Sequence, residues 1–184
     1  MKVLAISGSL RAAAYNTALL RAAAELAPEG IEVELYDGLE LLPAYNEEHD
    51  TDTPPAEVAR LREAIAAADA VLFATPEYNG SMPGHVKQAL DWASRPHRAS
   101  ALWGKPVAVV GASVTDYGAI WAQDHLRKGL GLAGARVLDE EFPVSKAPER
   151  FDADGVLVDL ELRDRLAELM EQLADHSRQL TKAA

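Results

Sequence analysis

Short apolar runs alternate with longer amphipathic segments along this chain. Three of the runs, residues 3–6, 71–74 and 107–110, are continuous and end at Gly, Ser, Thr or Pro. Continuous apolar runs rich in β-branched residues are typical of central parallel strands that are covered on both faces. Residues 31–36 alternate more, which indicates an edge strand, and residues 135–138 predict a last strand.

The segments between these runs carry helical periodicity. They cover residues 16–27, 56–68, 84–94, 119–133 and 158–180. Pro54, Pro55 and Pro83 open the second and third segments, as proline in a first helical turn does. Strand and helix alternate five times, which predicts an α/β protein with a three-layer, doubly wound parallel sheet. A chain of 184 residues is most simply one domain.

In sheets of this kind, ligands bind beyond the carboxyl ends of the strands, at the topological switch point. This rule selects the loops that follow Ile6, Ala74 and Val110. The segment 37–53 is long, acidic and rich in turn residues, so we expect either a flap or a subunit contact there.

The first loop has the residues of a phosphate cradle. Ser7, Ser9 and Asn16 supply neutral donors and Arg11 a permanent charge, at a helix start where backbone N–H groups and the macrodipole favour an anion. Of the three glycines in the dinucleotide-binding motif Gly-x-Gly-x-x-Gly the loop has only Gly8, and it lacks the Gly-Lys-Ser/Thr ending of a P-loop. The ligand that these residues favour is therefore the terminal phosphate of a mononucleotide. The alternative is that these residues only turn the chain and cap the helix.

The second and third loops suit a flat ring. In the second loop, residues 75–84, Tyr78 would stack or shape a wall, and the amides of Asn79 and Gly80 would reach the ring edge. The third loop, residues 111–119, has small residues that allow close approach to the backbone. The alternatives are an ordinary Asn-Gly turn before a helix and a plain strand-to-helix connection.

Composition narrows the function classes. A net charge of −11 argues against a nucleic-acid surface. The chain has no cysteine, so disulfides, thiolate nucleophiles and iron–sulfur clusters are excluded, and redox chemistry would need an organic cofactor. Its five histidines are scattered, and we expect no metal site. No apolar run is long enough to span a bilayer and no signal-peptide pattern opens the chain, so we expect no membrane partner and a cytoplasmic location.

Four sequence blocks together resemble the NAD(P)H-dependent FMN reductase family, which includes soluble quinone and chromate reductases and related azoreductases. The blocks are residues 6–11 with Asn16, residues 76–84, residues 87–92 and residues 111–113. They occur in order over residues 1–173. The resemblance implies one flavodoxin-like FMN-binding domain over residues 1–184, with a five-stranded sheet in the order 2-1-3-4-5.

The resemblance also implies roles for individual residues. The FMN phosphate would be held by Ser9, Arg11 and Asn16. The isoalloxazine would be bordered by Pro76, Glu77, Tyr78, Asn79 and Gly80 and lined on its third side by Ser113 and Gly118. Ala14 stands where the family often has a phosphate-binding serine. Asp116 would oppose the extra phosphate of NADPH, which favours NADH.

The resemblance implies a homodimer or homotetramer that binds FMN non-covalently. It also implies an oxidoreductase with a ping-pong mechanism. NADPH or NADH would deliver hydride to the flavin, and a quinone or similar acceptor would then be reduced, with free flavin, azo compounds and chromate as further acceptors. No side chain is assigned as an acid or base, since the cofactor carries the chemistry. Three alternatives remain: a flavodoxin-type electron carrier, an FMN-binding regulatory module, and a binder of another mononucleotide.

Overall fold

The computed structural model describes residues 1–183, with side chains through residue 180. The strands are β1 (Lys2–Ser7), β2 (Glu32–Leu35), β3 (Ala70–Ala74), β4 (Pro106–Ala112), β5 (Arg136–Val137) and β6 (Pro143–Val144). The helices are α1 (Tyr15–Leu26), α2 (Ala56–Ala67), α3 (Gly84–Ala93), α4 (Ile120–Leu132) and α5 (Leu160–Ala183). The five predicted helices and the five predicted strands are therefore confirmed, with shifts of at most three residues at their ends.

The strands are parallel and lie in the order β2-β1-β3-β4-β5, as the resemblance implies. Ser7 is in register with Ala74 of β3, and Ala74 is in register with Val110 of β4. The carboxyl ends of these three strands therefore lie side by side. The chain reverses its winding direction between β1 and β3, so this edge is the topological switch point.

Each face of the sheet has its own apolar core. Alternate residues of the central strands, such as Ala5 and Leu72, pack with α1 and α5 on one face. Their neighbours, such as Ile6 and Phe73, pack with α2, α3 and α4 on the other face. Because successive strand side chains point to opposite faces, a strand that is buried on both faces needs an unbroken apolar run. The continuous runs in the sequence arise in this way.

The predicted last strand is present as β5, and the sheet has one further strand, β6, that the sequence did not predict. The sheet edge consists of two short strands, β5 and β6, which pair with the beginning and the end of β4. Between them lie Asp139, Glu140 and Glu141. Arg127 of α4 pairs with Asp139 at 2.7 Å and donates to the Glu140 carbonyl, which holds this excursion away from the sheet.

The long segment 37–53 packs on α2 and α3 through specific contacts. The buried Trp92 donates its indole N–H to the Pro43 carbonyl at 2.9 Å, and the Tyr45 ring lies edge-on to Trp92 with centroids 4.8 Å apart. Arg62 pairs with Asp50 at 2.7 Å, and both side chains are largely buried. The segment is thus fixed at its middle and near its end, while a subunit contact through it stays a prediction.

Within residues 1–183, no helix combines the length and the apolar character that crossing a membrane requires.

Asp159 caps the start of α5, and its replacement gives a first stability test. Its carboxylate accepts from the Leu162 N–H at 3.0 Å and pairs with Arg150 at 2.7 Å. We expect Asp159→Ala to lower the free energy of unfolding by about 1 kcal/mol, the usual effect of losing a cap. Asp164→Ala, which removes an exposed carboxylate of the same helix, is the control. Both are measured by urea denaturation.

The pH dependence of this cap has a defined direction. The hydrogen bond from the Leu162 N–H, together with Arg150, lowers the pKa of Asp159 below its ordinary value of 3.8. A carboxyl group with a lowered folded-state pKa stabilises the fold above its unfolded pKa, and this contribution is lost as the pH falls. The difference in the free energy of unfolding between wild type and Asp159→Ala should therefore have its largest value at pH 7 and decrease below about pH 4. A difference that is unchanged at pH 3 would contradict the assignment.

Candidate functional site

Three loops meet at the carboxyl edge of the sheet: loop 1 (residues 8–14), loop 2 (residues 75–83) and loop 3 (residues 113–119). Backbone bonds continue the sheet into them. Gly8 donates to the Ala74 carbonyl at 2.7 Å and Thr75 donates to the Val110 carbonyl at 2.9 Å. The ten residues predicted to bind a cofactor lie on these loops or at the start of α1: Ser9, Arg11, Asn16, Pro76, Glu77, Tyr78, Asn79, Gly80, Ser113 and Gly118.

Loop 1 leaves β1 in a tight turn. A Cβ on Gly8 would lie 2.8 Å from the Val86 side chain and 3.0 Å from the Ala74 carbonyl, so the close packing of the turn requires glycine. The Ser7 hydroxyl contacts the Thr17 hydroxyl at 2.7 Å, which ties the end of β1 to the first turn of α1. Thr17 contributes to this turn although nothing in the sequence pattern marks it.

The start of α1 is open to an anion. Ala14 is its N-cap and makes no side-chain cap bond, and the first turn contains no acidic residue. Arg11 is exposed and forms no ion pair with any residue from 1 to 180. Ser9 is 7% exposed, and its hydroxyl forms no hydrogen bond with any residue from 1 to 180. Unpaired N–H groups, a hydroxyl and a guanidinium at one helix end match a phosphate group.

Asn16 has a different geometry from the other predicted phosphate ligands. Its amide N–H donates to the Ala112 carbonyl at 3.0 Å, and its amide oxygen accepts from the Ala112 N–H at 2.9 Å. The side chain is 3% exposed. These two bonds join the start of α1 to the end of β4, so Asn16 contributes to the site by connecting loops 1 and 3. A direct phosphate contact would use its second amide hydrogen and stays a prediction.

Loop 2 contains a two-residue hairpin turn. Asn79 and Gly80 both have positive φ, at 54° and 72°. Tyr78 and Ser81 exchange backbone hydrogen bonds at 2.9 and 3.2 Å across the turn. Two central residues with positive φ define a type I′ turn, for which Asn-Gly is the preferred sequence. The Asn-Gly turn of the alternative interpretation is thus present, and the role of this loop in binding a ring stays a prediction. The Tyr78 side chain is 49% exposed.

Glu77 links loop 2 to α4. One of its carboxylate oxygens accepts from the N–H groups of Trp121 at 3.1 Å and Ala122 at 3.3 Å, in the first turn of that helix. A carboxylate at this position compensates the unpaired N–H groups and the positive end of the helix dipole. The side chain therefore fixes loop 2 against α4, and its backbone remains available to border a ring.

Replacing Glu77 tests this cap. We expect Glu77→Ala to lower the free energy of unfolding by about 1 kcal/mol, because two N–H groups of α4 lose their acceptor. Glu77→Gln keeps an acceptor oxygen without the charge and should lose only part of that amount. Thermal denaturation of both variants measures the effect. Equal stability of Glu77→Ala and wild type would show that the bond does not contribute to the fold.

Loop 3 requires glycine where it enters α4. Gly118 has a φ of +57°, and a Cβ there would lie 2.7 Å from the Cβ of Pro143 and 2.8 Å from the backbone N of Val144. The buried side chain of Gln123 donates to the Gly118 carbonyl at 3.0 Å and accepts from the Phe142 N–H at 3.3 Å. Gln123 thereby holds loop 3 against β6. The one sequence signal for this role of Gln123 is that a polar residue occupies a position on the apolar face of the helix.

The side chains of loop 3 bond locally. The hydroxyls of Ser113 and Thr115 lie 3.0 Å apart, and Thr115 donates its N–H to Ser113 at 3.1 Å. Asp116 pairs with Lys146 at 3.3 Å, and both side chains are at least half exposed. Lys146 offsets the negative charge that was expected to oppose the extra phosphate of NADPH. The preference for NADH over NADPH was inferred from the charge of Asp116 alone, and it stays a prediction.

Aromatic side chains lie exposed beside the loops. Tyr117 and Trp121 are 58% and 45% exposed, and their ring centroids are 4.7 Å apart. No group of three or more His, Asp or Glu side chains with metal-binding geometry occurs in the part of the chain that the structure describes. The groups at the start of α1 can bind an anion, and the binding of a flat ring beside them stays a prediction.

The chain is similar throughout to flavin-dependent reductases. A family model described as NADPH-dependent FMN reductase matches residues 1–149. An NAD(P)H-dependent FMN reductase of Pseudomonas aeruginosa is 48% identical over 174 residues, which cover 94% of this chain and 90% of that protein. A 2-hydroxy-1,4-benzoquinone reductase of a Burkholderia species is 40% identical over 176 residues, with coverage of 95% and 94%.

Solved structures agree with the sequence matches. The flavoenzyme NAD(P)H:acceptor oxidoreductase FerB from Paracoccus denitrificans superimposes with a TM-score of 0.86 and 35% identity, over 97% of both chains. An apo NADH:FMN oxidoreductase, at 21% identity and a TM-score of 0.64, shares the fold.

Proposed function

This chain belongs to the NADPH-dependent FMN reductase family, and from that premise we propose that it oxidises NAD(P)H with bound FMN and reduces quinones or similar small acceptors. The observation that carries the proposal is the convergence of an uncapped α1 start, a type I′ hairpin and a glycine-dependent third loop at one sheet edge. The relatives named as quinone reductases support the class of acceptor.

The residues present fit FMN. Loop 1 offers the Ser9 hydroxyl, the Arg11 guanidinium and the N–H groups of the α1 start to a phosphate, with no carboxylate in the first helical turn to repel it. Loop 2 offers the backbone of residues 76–80 to a ring edge. When bound, FMN supplies the redox chemistry, since it accepts a hydride from a nicotinamide and passes two electrons on.

The chain's own residues would bind and orient the reactants. The hairpin at Asn79 and Gly80 presents backbone N–H groups that would stabilise negative charge on a reduced ring. Ser113 and Gly118 would line the opposite side, and the exposed Tyr78 would shape the opening through which substrates enter. No side chain is proposed as a general acid or base.

We further propose that the protein works in the cytoplasm, where NAD(P)H is regenerated, as a homodimer or homotetramer. The aromatic side chains of Tyr78, Tyr117 and Trp121 support a subunit contact, because each is at least 45% exposed beside the site. Clustered exposed aromatics are characteristic of protein interfaces. Size-exclusion chromatography with light scattering tests this part separately.

Anaerobic mixing of FMN-loaded protein with NADPH, and separately with NADH, tests the reductase function. Rapid bleaching of the flavin absorbance that recovers on adding a quinone is the expected result, and the two rates give the dinucleotide preference. FMN binding without bleaching would overturn the reductase and favour an electron carrier or a regulatory module. A protein that binds no flavin would favour another mononucleotide.

A further inference from the structure

His85 contacts loop 1 directly from α3. It lies in the first turn of that helix, and its Nε2 is 2.8 Å from the carbonyl oxygen of Gly8. A carbonyl can only accept, so Nε2 carries the proton and donates. The imidazole is partly buried. In the sequence its place early in a helix indicates a surface or interface residue, and no pattern points to a partner 77 positions away.

The bond from His85 contributes to fixing the orientation of one peptide group. The carbonyl of Gly8 and the N–H of Ser9 belong to the same planar unit, so fixing one fixes the other. The Gly8 N–H is already bonded to the Ala74 carbonyl at 2.7 Å, and the Val86 side chain packs against the Gly8 Cα. Each backbone polar group of Gly8 therefore has one partner, and His85 supplies the partner of the carbonyl. On the other side of the same peptide plane the Ser9 N–H donates to the Ser7 hydroxyl at 3.3 Å, a longer bond than the 2.8 Å contact with His85.

We propose that His85 is a positioning residue for the phosphate of FMN. By holding the Gly8–Ser9 peptide plane, it sets the backbone of Ser9 and so the direction of the Ser9 hydroxyl and the chain leading to Arg11. Its contact with loop 1 is to the Gly8 carbonyl, so the role assigned to it is to position the loop and not to bind the phosphate. This inference rests on the proposed function, because it requires an FMN phosphate at loop 1.

The test separates the phosphate from the rest of the flavin. Riboflavin lacks the phosphate, so the ratio of its dissociation constant to that of FMN measures what loop 1 contributes. Both constants are obtained by flavin fluorescence titration for wild type, His85→Leu, His85→Gln and His97→Leu. Gln carries an N–H donor at about the position of Nε2, whereas Leu has similar bulk and no donor. His97 is exposed beyond the end of α3 and serves as the matched control.

We expect His85→Leu to lower the ratio by about tenfold through weaker FMN binding, with riboflavin binding unchanged. His85→Gln should recover the ratio to within about threefold of wild type, and His97→Leu should leave it unchanged. An unchanged ratio in His85→Leu, an equal loss for both flavins, or a Gln variant as weak as the Leu variant would overturn the positioning role.

The proposed function fails by a different signature. Wild-type protein that binds FMN no more tightly than riboflavin, or whose bound FMN is not reduced by NAD(P)H, would disprove phosphate recognition or the reductase before any variant is compared. Wild-type protein with a large ratio that His85→Leu leaves intact would remove only the role of His85.

Discussion

Replacing Arg11 with alanine is expected to weaken FMN binding by between about tenfold and a hundredfold, the usual range for a hydrogen bond to a charged group. Arg11 is exposed and unpaired within the described residues, so its charge is free to meet the phosphate dianion. Equilibrium dialysis of FMN against wild type and variant measures the change.

Two further variants make the Arg11 result specific. Arg21→Ala removes an exposed arginine from α1 itself and should leave FMN binding unchanged, because residue 21 lies beyond the first turn of the helix. Arg11→Lys keeps the charge without the planar fork and should give intermediate affinity. If Arg11→Ala and Arg21→Ala bound FMN equally well, the phosphate would have to lie elsewhere.

The largest stability effect is expected for Gly118→Ala, at about 3 kcal/mol. Two costs combine there. A non-glycine residue at positive φ is strained, and the added Cβ would lie within 2.8 Å of the backbone of β6, which cannot move as a flexible side chain would. Because loop 3 would have to shift, FMN binding should weaken together with the melting temperature.

Gly30→Ala separates these two costs. Gly30 also has a positive φ, at +83°, but nothing lies within 4 Å of a Cβ placed on it. It should therefore show the backbone strain alone, about 1 kcal/mol, with FMN binding intact. Similar melting temperatures for Gly118→Ala and Gly30→Ala would show that β6 can yield to the added methyl group.

The sequence predicted the layers and the loops of the site because both follow from local patterns. A strand that is buried on both faces must be continuously apolar. The dipeptide Asn79-Gly80 strongly favours the type I′ turn that it adopts. The first four strands and the hairpin were therefore predictable. β6 was not, since two residues after an acidic stretch carry no periodicity that distinguishes a strand from a loop.

The connections between the loops could not be read from the sequence. The side chains of Asn16, Glu77 and His85 form hydrogen bonds with backbone groups that lie 96, 44 and 77 positions away in the sequence, respectively. Only the packed fold brings these groups together, and no spacing rule encodes such distances. The role of Asn16 and Glu77 in binding a cofactor stays a prediction. The sequence could not show that the Asn16 side chain joins α1 to β4 or that the Glu77 side chain joins loop 2 to α4.

The short edge strands β5 and β6 also bear on how this protein avoids aggregation. Exposed sheet edges offer unpaired N–H and C=O groups to other chains. At one edge of this sheet, β5 and β6 are two residues long each and are separated by five residues, three of which are consecutive acidic residues. At the other edge, β2 is four residues long and carries Glu32 and Glu34. Neither edge gives a second molecule a long, uncharged strand to pair with, so the native protein is protected against growth into intermolecular sheets.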